Sequence, residues 1–357
     1  MKTAWAKAPG KLYIAGEYAV VEPSHPAVIV AVNRFIEVTV TPSDNNFGQI
    51  HSTVLDGGLA SFERTANGIR IHEEDPKAAV LIEALQLTEL YLQEQGITLP
   101  YYDIVIQSSL VSADGRKYGL GSSGAVTVAV INSLLQAASV SCSPLHLYKL
   151  AALTHLSLNS RGSFGDLAAA SFGGWIAYSS FNKTQVQRLY TCRSVTEALN
   201  ESWEGLMIEP LALPEELQLL VGWTGSPAST ESMIKNIAQS GKPMDYEPFL
   251  ASSKACTLAL LQAFKQQNSQ LIMDLIRKNR ELLLAMSRKK GIQLETPLLE
   301  NLCSIAENRQ AAAKTSGAGG GDCGIALAWR KNRPDRLLAE WAAAGITPLS
   351  LTVYTLN

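Results

Sequence analysis

Gly115-Arg116-Lys117-Tyr118-Gly119-Leu120-Gly121-Ser122-Ser123-Gly124 reads as a backbone built to hold phosphate. Its glycines let the chain fold tightly, and with two serines they present a dense set of N–H and hydroxyl donors. Directly after it, Ala125-Val126-Thr127-Val128-Ala129-Val130-Ile131 predicts a buried helix. The N-terminus of such a helix adds unpaired N–H groups and partial positive charge, which stabilise an anion placed there. From Arg116 to Gly165 there is no Asp or Glu; the charged side chains in that span are Arg116, Lys117, Lys149 and Arg161. The span ends at Asp166, inside Arg161-Gly162-Ser163-Phe164-Gly165-Asp166. A region cleared of negative charge and closed by one carboxylate points to a phosphate site with a single anionic group for chemistry.

Other readings of the same glycines exist. The spacing of Gly119, Gly121 and Gly124 matches the dinucleotide-binding fingerprint letter for letter. That fingerprint wants a strand running straight into the glycines and an acidic residue about 20 positions later. Here a charged loop over residues 112–118 intervenes, and no acid follows at the right distance. The phosphate loop of the common nucleotidases needs Gly-x-x-x-x-Gly-Lys-Ser/Thr, which neither Gly10-Lys11-Leu12 nor Gly241-Lys242-Pro243 provides. The missing acids also have a purely structural reading, two buried helices without chemistry, and this motif alone leaves it open.

The rest of the chain bounds the answer. Its 357 residues allow two domains and a substantial core. Hydrophobic content of 46% with 17% charged residues is that of a soluble globular protein, and a net charge of −2 argues against a nucleic-acid partner. The first 16 residues hold too short an apolar run for a signal peptide, and Pro9-Gly10 interrupts it. No stretch approaches the roughly 18 apolar residues of a membrane span. Five scattered cysteines without Cys-x-x-Cys spacing predict reduced thiols in a cytoplasmic protein, with neither zinc nor disulfides. The five histidines show no ligand spacing, and His146 and His155 are expected on helix surfaces or half-buried faces.

Hydrophobic periodicity predicts strands over 4–15 and 27–41, with a turn at 22–26 and shorter strands punctuated at 44–46 and 56–58. A helix over 76–95 stops at Gly96, and a strand over 102–110 precedes the glycine loop. Ser143 caps a second helix over 144–158, and 172–180 resumes as a strand. The pattern weakens around 185–214, which places the domain change there and divides the chain into 1–200 and 201–357. A strand over 217–223 opens the second half, followed by helices over 248–266 and 269–289. Thr296-Pro297 starts a helix through 309, and a strand at 323–329, a helix at 334–344 and a strand at 349–354 complete the chain. Strands interleaved with helices in both halves give an α+β protein of two packed domains.

Two further motifs accompany the first. Lys314-Thr315-Ser316-Gly317-Ala318-Gly319-Gly320-Gly321-Asp322-Cys323-Gly324 lies between a helix and an apolar strand. Lys7-Ala8-Pro9-Gly10-Lys11-Leu12-Tyr13-Ile14-Ala15-Gly16-Glu17-Tyr18 reads, taken alone, as an edge strand with a proline bulge. In this order, Pro-Gly-Lys…Gly-Glu, Gly-Leu-Gly-Ser-Ser and Gly-Ala-Gly-Gly-Gly-Asp resemble the GHMP small-molecule kinases from residue 7 to at least residue 328. Gly10 to Ala19 and Gly162-Ser163-Phe164-Gly165-Asp166-Leu167-Ala168 are most similar to the bacterial phosphomevalonate kinase branch, since mevalonate kinases typically carry His where Tyr18 stands. The resemblance implies a two-domain GHMP kinase fold, with an N-terminal domain like the second domain of ribosomal protein S5 and a ferredoxin-like C-terminal domain.

What the resemblance implies for chemistry is transfer of the ATP γ-phosphoryl group to phosphomevalonate, with mevalonate or another small alcohol as the alternative acceptor. Lys11 and Asp166 are then the catalytic pair, and Lys117, Gly119, Leu120, Gly121, Ser122, Ser123 and Gly124 bind ATP. Lys7, Lys11, Tyr18, Ser163, Asp166, Ser316, Gly317 and Ala318 bind the acceptor. Ser123 helps hold Mg²⁺, with Asp166 as a further candidate ligand. Mevalonate kinases complete the magnesium shell with a glutamate upstream of the aspartate; here the nearby position is His155, a poor ligand for an ion that prefers oxygen. The partners expected are small molecules, in a monomer or homodimer. A non-catalytic sensor of the same fold is the other class of function weighed.

Overall fold

The computed structural model describes residues 1–53, 58–66, 68–71, 78–226 and 246–356. Asp56-Gly57, the expected helix start at 76–77 and Gly241-Lys242-Pro243 lie outside the described residues. The chain begins with the long antiparallel pair β1 (Ala4–Ala15) and β2 (Pro26–Pro42), whose register shifts between Pro9 and Gly10. Proline has no N–H to give to a ladder, so it sits where pairing is interrupted. The first half of β2 is buried on both faces and the second half alternates, because one face of the sheet is left uncovered there.

Around this pair the larger sheet collects β3 (Gly48–Ser52), β4 (Leu59–Thr65), β5 (Gly68–Ile71), β6 (Tyr102–Ser108), β7 (Trp175–Ser179) and β8 (Met207–Leu211). Its order is β5-β4-β3-β6-β2-β7-β8, with β1 paired to β2 beside that path. Helices α1 (Ala78–Glu94), α2 (Ser122–Ala137), α3 (Pro144–Ser157) and α4 (Gly165–Phe172) form the covering layer. α2 touches β1 and β2 on one side and α1, α3 and α4 on the others. Ala125, Ala129, Val130, Ile131, Leu134 and Leu135 are fully buried, so the packed faces of α2 have no room for a charge. The acid-free span therefore has a structural cause as well as a chemical one. Ser143 caps α3 as expected, its hydroxyl accepting from His146 N at 3.2 Å.

The smaller sheet contains β9 (Leu217–Trp223), β10 (Ala312–Thr315), β11 (Cys323–Trp329) and β12 (Thr347–Leu349), all antiparallel in the order β10-β11-β9-β12. With it pack α8 (Ser269–Lys290), α9 (Pro297–Asn308) and α10 (Pro334–Ala343), while α7 (Glu247–Lys265) packs on α8 and reaches β2. Trp341, fully buried, joins Leu302, Ala306 and Ile346 in a core of this half. The larger core does not stop at the domain boundary: Phe264 meets Trp175, and Leu260, Ile272 and Ile276 belong to one apolar cluster with the β1–β2 residues. Apolar burial thus holds the two halves together as it holds each half.

Several elements depart from the expected order, among them β8 in the stretch of weak pattern. α4 occupies residues expected as loop and takes Phe172, which delays β7 to Trp175 behind the left-handed Gly173-Gly174. α5 (Lys183–Cys192) and α6 (Val195–Asn200) fall in the stretch of weak pattern, where α5 buries only Val186. α6 is fixed mainly by a capping box, Ser194 with Glu197. β10 is four residues long and wholly buried, too short for periodicity to reveal. The strand expected over 349–354 is instead β12 plus isolated bridges from Val353 to Val32 and from Thr355 to Gly173, because the chain crosses back from the smaller sheet to the larger.

Candidate active site

β1 carries Lys11 onto the glycine loop. Its backbone N–H donates to Leu120 O at 2.9 Å and its ammonium to Gly119 O at 3.3 Å. Gly121, at φ 76, is the residue that turns the loop into α2, a left-handed conformation that a side chain would strain. It caps the helix without any side-chain bond, so the amides of the first turn are left facing the cavity. A Cβ on Gly121 would lie 3.0 Å from Lys11 Cε and 3.3 Å from Asp166 Cβ, and one on Gly124 only 2.6 Å from Asp166 Oδ2. Lys11 and Asp166, far apart in sequence, therefore flank the first turn of α2.

Asp166 stands in the first turn of α4, where its Oδ1 accepts from Leu167 N at 3.1 Å. The turn before it is set by Tyr13, whose hydroxyl lies 2.7 Å from Ser163 Oγ and whose ring lies 5.3 Å beneath the Lys11 ammonium. Burial lowers the pKa of Lys11 below its ordinary value, and Asp166, Asp322, Cys323 and Glu17 oppose the shift. A lysine held this way gains most when a polyanion arrives, since the anion supplies the charge that the protein only partly provides.

The second glycine cluster closes the site from the smaller sheet. Cys323 Sγ donates to Tyr118 O at 3.1 Å, Thr224 N to Asp322 O at 2.9 Å, and the Asp322 carboxylate presses against Gly119. Tyr18 donates its phenol to Ala318 O. Burial raises the pKa of that phenol, so it stays a donor at any working pH. Beside it Glu17 pairs with Lys314, both buried, and Lys314 also donates to Thr315 O at 2.7 Å.

The result is a cavity of about 500 Å³. Of the residues expected at the site, Lys11, Tyr18, Lys117, Gly119, Gly121, Ser122, Ser123, Ser163, Asp166, Gly317 and Ala318 line it. Leu120 and Gly124 support the loop from behind, and Ser316, its N–H bonded to Cys323 O at 3.0 Å, lies just outside the lining. Lys7 stands elsewhere. Its ammonium lies over Phe35 at 4.4 Å and Tyr354 at 5.0 Å, four residues along β1 from Lys11 and beyond the register shift between Pro9 and Gly10. Lys7, expected to bind the acceptor, is thus not brought to this cavity with the other expected residues.

Tyr13, Glu17, Val20, Val21, Ser160, Phe164 and Asp322 also line the cavity without having been expected to bind. Glu17 and Asp322 sit inside quoted motifs, so their position was available in the sequence, but a carboxylate does not advertise itself in a site read as anion-binding. His155 lines the cavity too, its Nε2 3.0 Å from Thr127 Oγ1. Thr127 gives its own proton to Ser123 O at 2.9 Å, so His155 Nε2 is the donor. Burial lowers the imidazole's pKa against a partial pull from Asp166. His155 is therefore a neutral prop beneath Ser123.

Among the described residues no group of three or more His, Cys, Asp or Glu could hold a metal ion. Magnesium needs no such cage, since it keeps several waters and binds through one or two protein oxygens plus substrate phosphates. The oxygen donors of Ser123 and the cavity fit that habit. One consequence can be tested at Gly124. Its backbone is helical, so Gly124→Ala should fold normally, but the new methyl must displace the Asp166 carboxylate. A displacement near 1 Å can cost about 10²-fold in rate. The variant is expected to melt within a few degrees of wild type and to lose about 10²-fold in kcat/KM, as circular dichroism and steady-state kinetics would measure.

Comparison with known proteins bears on this arrangement. Residues 80–174 match the family model for the GHMP kinases N terminal domain, and residues 260–347 that for GHMP kinases C terminal. A phosphomevalonate kinase from Streptomyces sp. (strain CL190) is 36% identical over 97% of this chain and 96% of its own. The chain belongs to the GHMP kinases. Among solved GHMP kinase structures, the Streptococcus pneumoniae phosphomevalonate kinase in complex with phosphomevalonate and AMPPNP superposes with a TM-score of 0.86. It is 30% identical, covering 98% of this chain and 99% of that one. A Lin0012 protein from Listeria innocua superposes with a TM-score of 0.91 at 36% identity, covering 99% and 98%. The expected two-domain α+β fold is the one observed. All five cysteines of this GHMP kinase are free, and no helix among the described residues is long and apolar enough to cross a membrane.

Proposed function

We propose that the protein transfers the γ-phosphoryl group of ATP to the phosphate of (R)-5-phosphomevalonate, giving 5-diphosphomevalonate and ADP. The observation that carries this reading is the pairing of Lys11 and Asp166 across the first turn of α2, in one cavity with the glycine loop. Phosphoryl transfer passes through a loose transition state, so catalysis is mostly positioning and neutralisation of charge. The amides of Gly119 to Gly124 cradle the ATP phosphates, and Lys117 and Lys11 supply positive charge at the rim and at the reacting end. When bound, Mg²⁺ screens the phosphates, held on the protein side by Ser123. Tyr18, Ser163, Gly317 and Ala318 form the wall around the acceptor. The reaction draws on ATP and small-molecule substrates, so we assign it to a cytoplasmic monomer or homodimer.

The acceptor determines what Asp166 does. An alcohol carries a proton that a base must remove. A phosphate monoester has a second pKa of about 6 and is already largely ionised near neutrality. Asp166 then orients Lys11 and the acceptor without taking a proton. Asp166→Asn is expected to keep measurable turnover with an acid limb that follows the acceptor's own ionisation. Loss of all activity, together with a wild-type rate that tracks an Asp166 ionisation, would restore a general-base role. The function itself is tested by coupled ADP-release assays with phosphomevalonate and mevalonate side by side. Preference for mevalonate would move the protein to the alcohol-phosphorylating branch, and absence of ATP turnover with either would favour a binding-only relative.

A further inference from the structure

Glu17 has no part in handling phosphate, and a carboxylate beside a site for polyanions is unfavourable unless something requires it. It lines the cavity yet is only 3% exposed. Its Oε1 accepts from Lys314, while Oε2 is buried and has no hydrogen-bond partner among the described residues. Lys11, Tyr13 and Asp166 line the same cavity as Glu17. A buried acceptor atom left without a donor costs stability, which makes it a place where a ligand's donor would be rewarded.

A carboxylate can only accept. It repels a phosphate or another carboxylate and matches an O–H. The proposed acceptor carries anionic groups at both ends and a single tertiary hydroxyl between them. We infer that Glu17 Oε2 accepts the hydrogen bond of the acceptor's tertiary hydroxyl, making Glu17 a specificity-determining residue. This rests on the acceptor assigned above. Lys314, from the smaller sheet, balances the carboxylate's charge and holds Oε1, leaving Oε2 to the ligand.

The test compares phosphomevalonate with its 3-deoxy analogue. A site built to bond a substrate hydroxyl rejects the analogue lacking it strongly, because its own polar group is left unpaired. Wild type is expected to lose about 10²-fold in kcat/KM on the deoxy acceptor. Glu17→Met/Lys314→Met removes acceptor and counter-charge together, so no buried charge is stranded, and its preference should fall to within a few-fold. If wild type uses both acceptors within a few-fold, or if the double variant keeps the full preference, the hydroxyl is not read by Glu17. Should the double variant fail to fold, the wild-type ratio and that of Glu17→Gln, expected to fall with loss of the charge-assisted bond, decide the matter. Should wild type use mevalonate instead, the acceptor reading fails on its own. Mevalonate and 3-deoxymevalonate then carry the same comparison, since mevalonate bears the same tertiary hydroxyl as phosphomevalonate.

Discussion

Lys11→Met should lower kcat/KM by at least about 10²-fold, equivalent to about 3 kcal/mol of lost transition-state stabilisation. The ammonium lies between the glycine loop and Asp166, donating to Gly119 O at 3.3 Å, and it is the cation enclosed at the reacting end. Two polyanions must meet there, and their repulsion rises as the transferring group moves toward the acceptor. The loss should therefore fall mainly on kcat, with a smaller change in KM. Stability should change little, because burial already disfavours the charged form of Lys11. The same burial shapes the pH profile. With its pKa depressed, free Lys11 begins to lose its proton at lower pH than an ordinary lysine, so the alkaline limb of kcat/KM should begin early. In the complex the phosphates hold the proton on, and the limb of kcat should lie at higher pH. A variant with near-normal turnover would exclude Lys11 from the chemistry.

Lys314→Met should destabilise the fold by about 3–5 kcal/mol, the usual cost of stranding one partner of a buried ion pair. Lys314 is fully buried, and its loss leaves Glu17 with no counter-charge and one oxygen already unpartnered. The pair joins the end of β1 to β10, so the loss should appear as a lower thermal midpoint and weaker coupling of the two halves. Glu17→Met/Lys314→Met should recover most of that loss, because an apolar pair of similar volume is often no worse than the ions it replaces. Equal midpoints for Lys314→Met and wild type would show that the pair carries no weight in holding the halves together.

Much of the site was legible because phosphate binding is written in backbone chemistry. Glycine at 119, 121 and 124, the serines beside them and an apolar helix behind are local features, and the fold uses them locally. The partners of that loop were another matter. That Lys11 reaches Gly119 depends on β1 being pinned to the loop through Leu120, and no periodicity states which segment lies there; the family resemblance supplied it. Lys7 shows the limit from the other side. It shares a motif and a strand with Lys11, but four residues of extended chain, roughly 13 Å, place it at the aromatic rings of Phe35 and Tyr354 instead. Glu17 and Asp322 went unassigned because sequence gives charge without its counter-charge, and only the fold brings Lys314 and Lys11 against them. The unexpected elements α4, α5, α6, β8 and β10 are short, and their identity comes from caps and tertiary packing that a pattern over a few residues cannot carry.

The proposed chemistry requires the Lys11 ammonium and the Asp166 carboxylate to stand on either side of the transferring phosphoryl group. It is tested most directly by a crystal structure with phosphomevalonate and a non-hydrolysable ATP analogue. The γ-phosphate is expected over the first turn of α2, within hydrogen-bond distance of Lys11, with the acceptor phosphate between it and Asp166. A nucleotide bound in another cleft, or a γ-phosphate out of reach of Lys11, would contradict it.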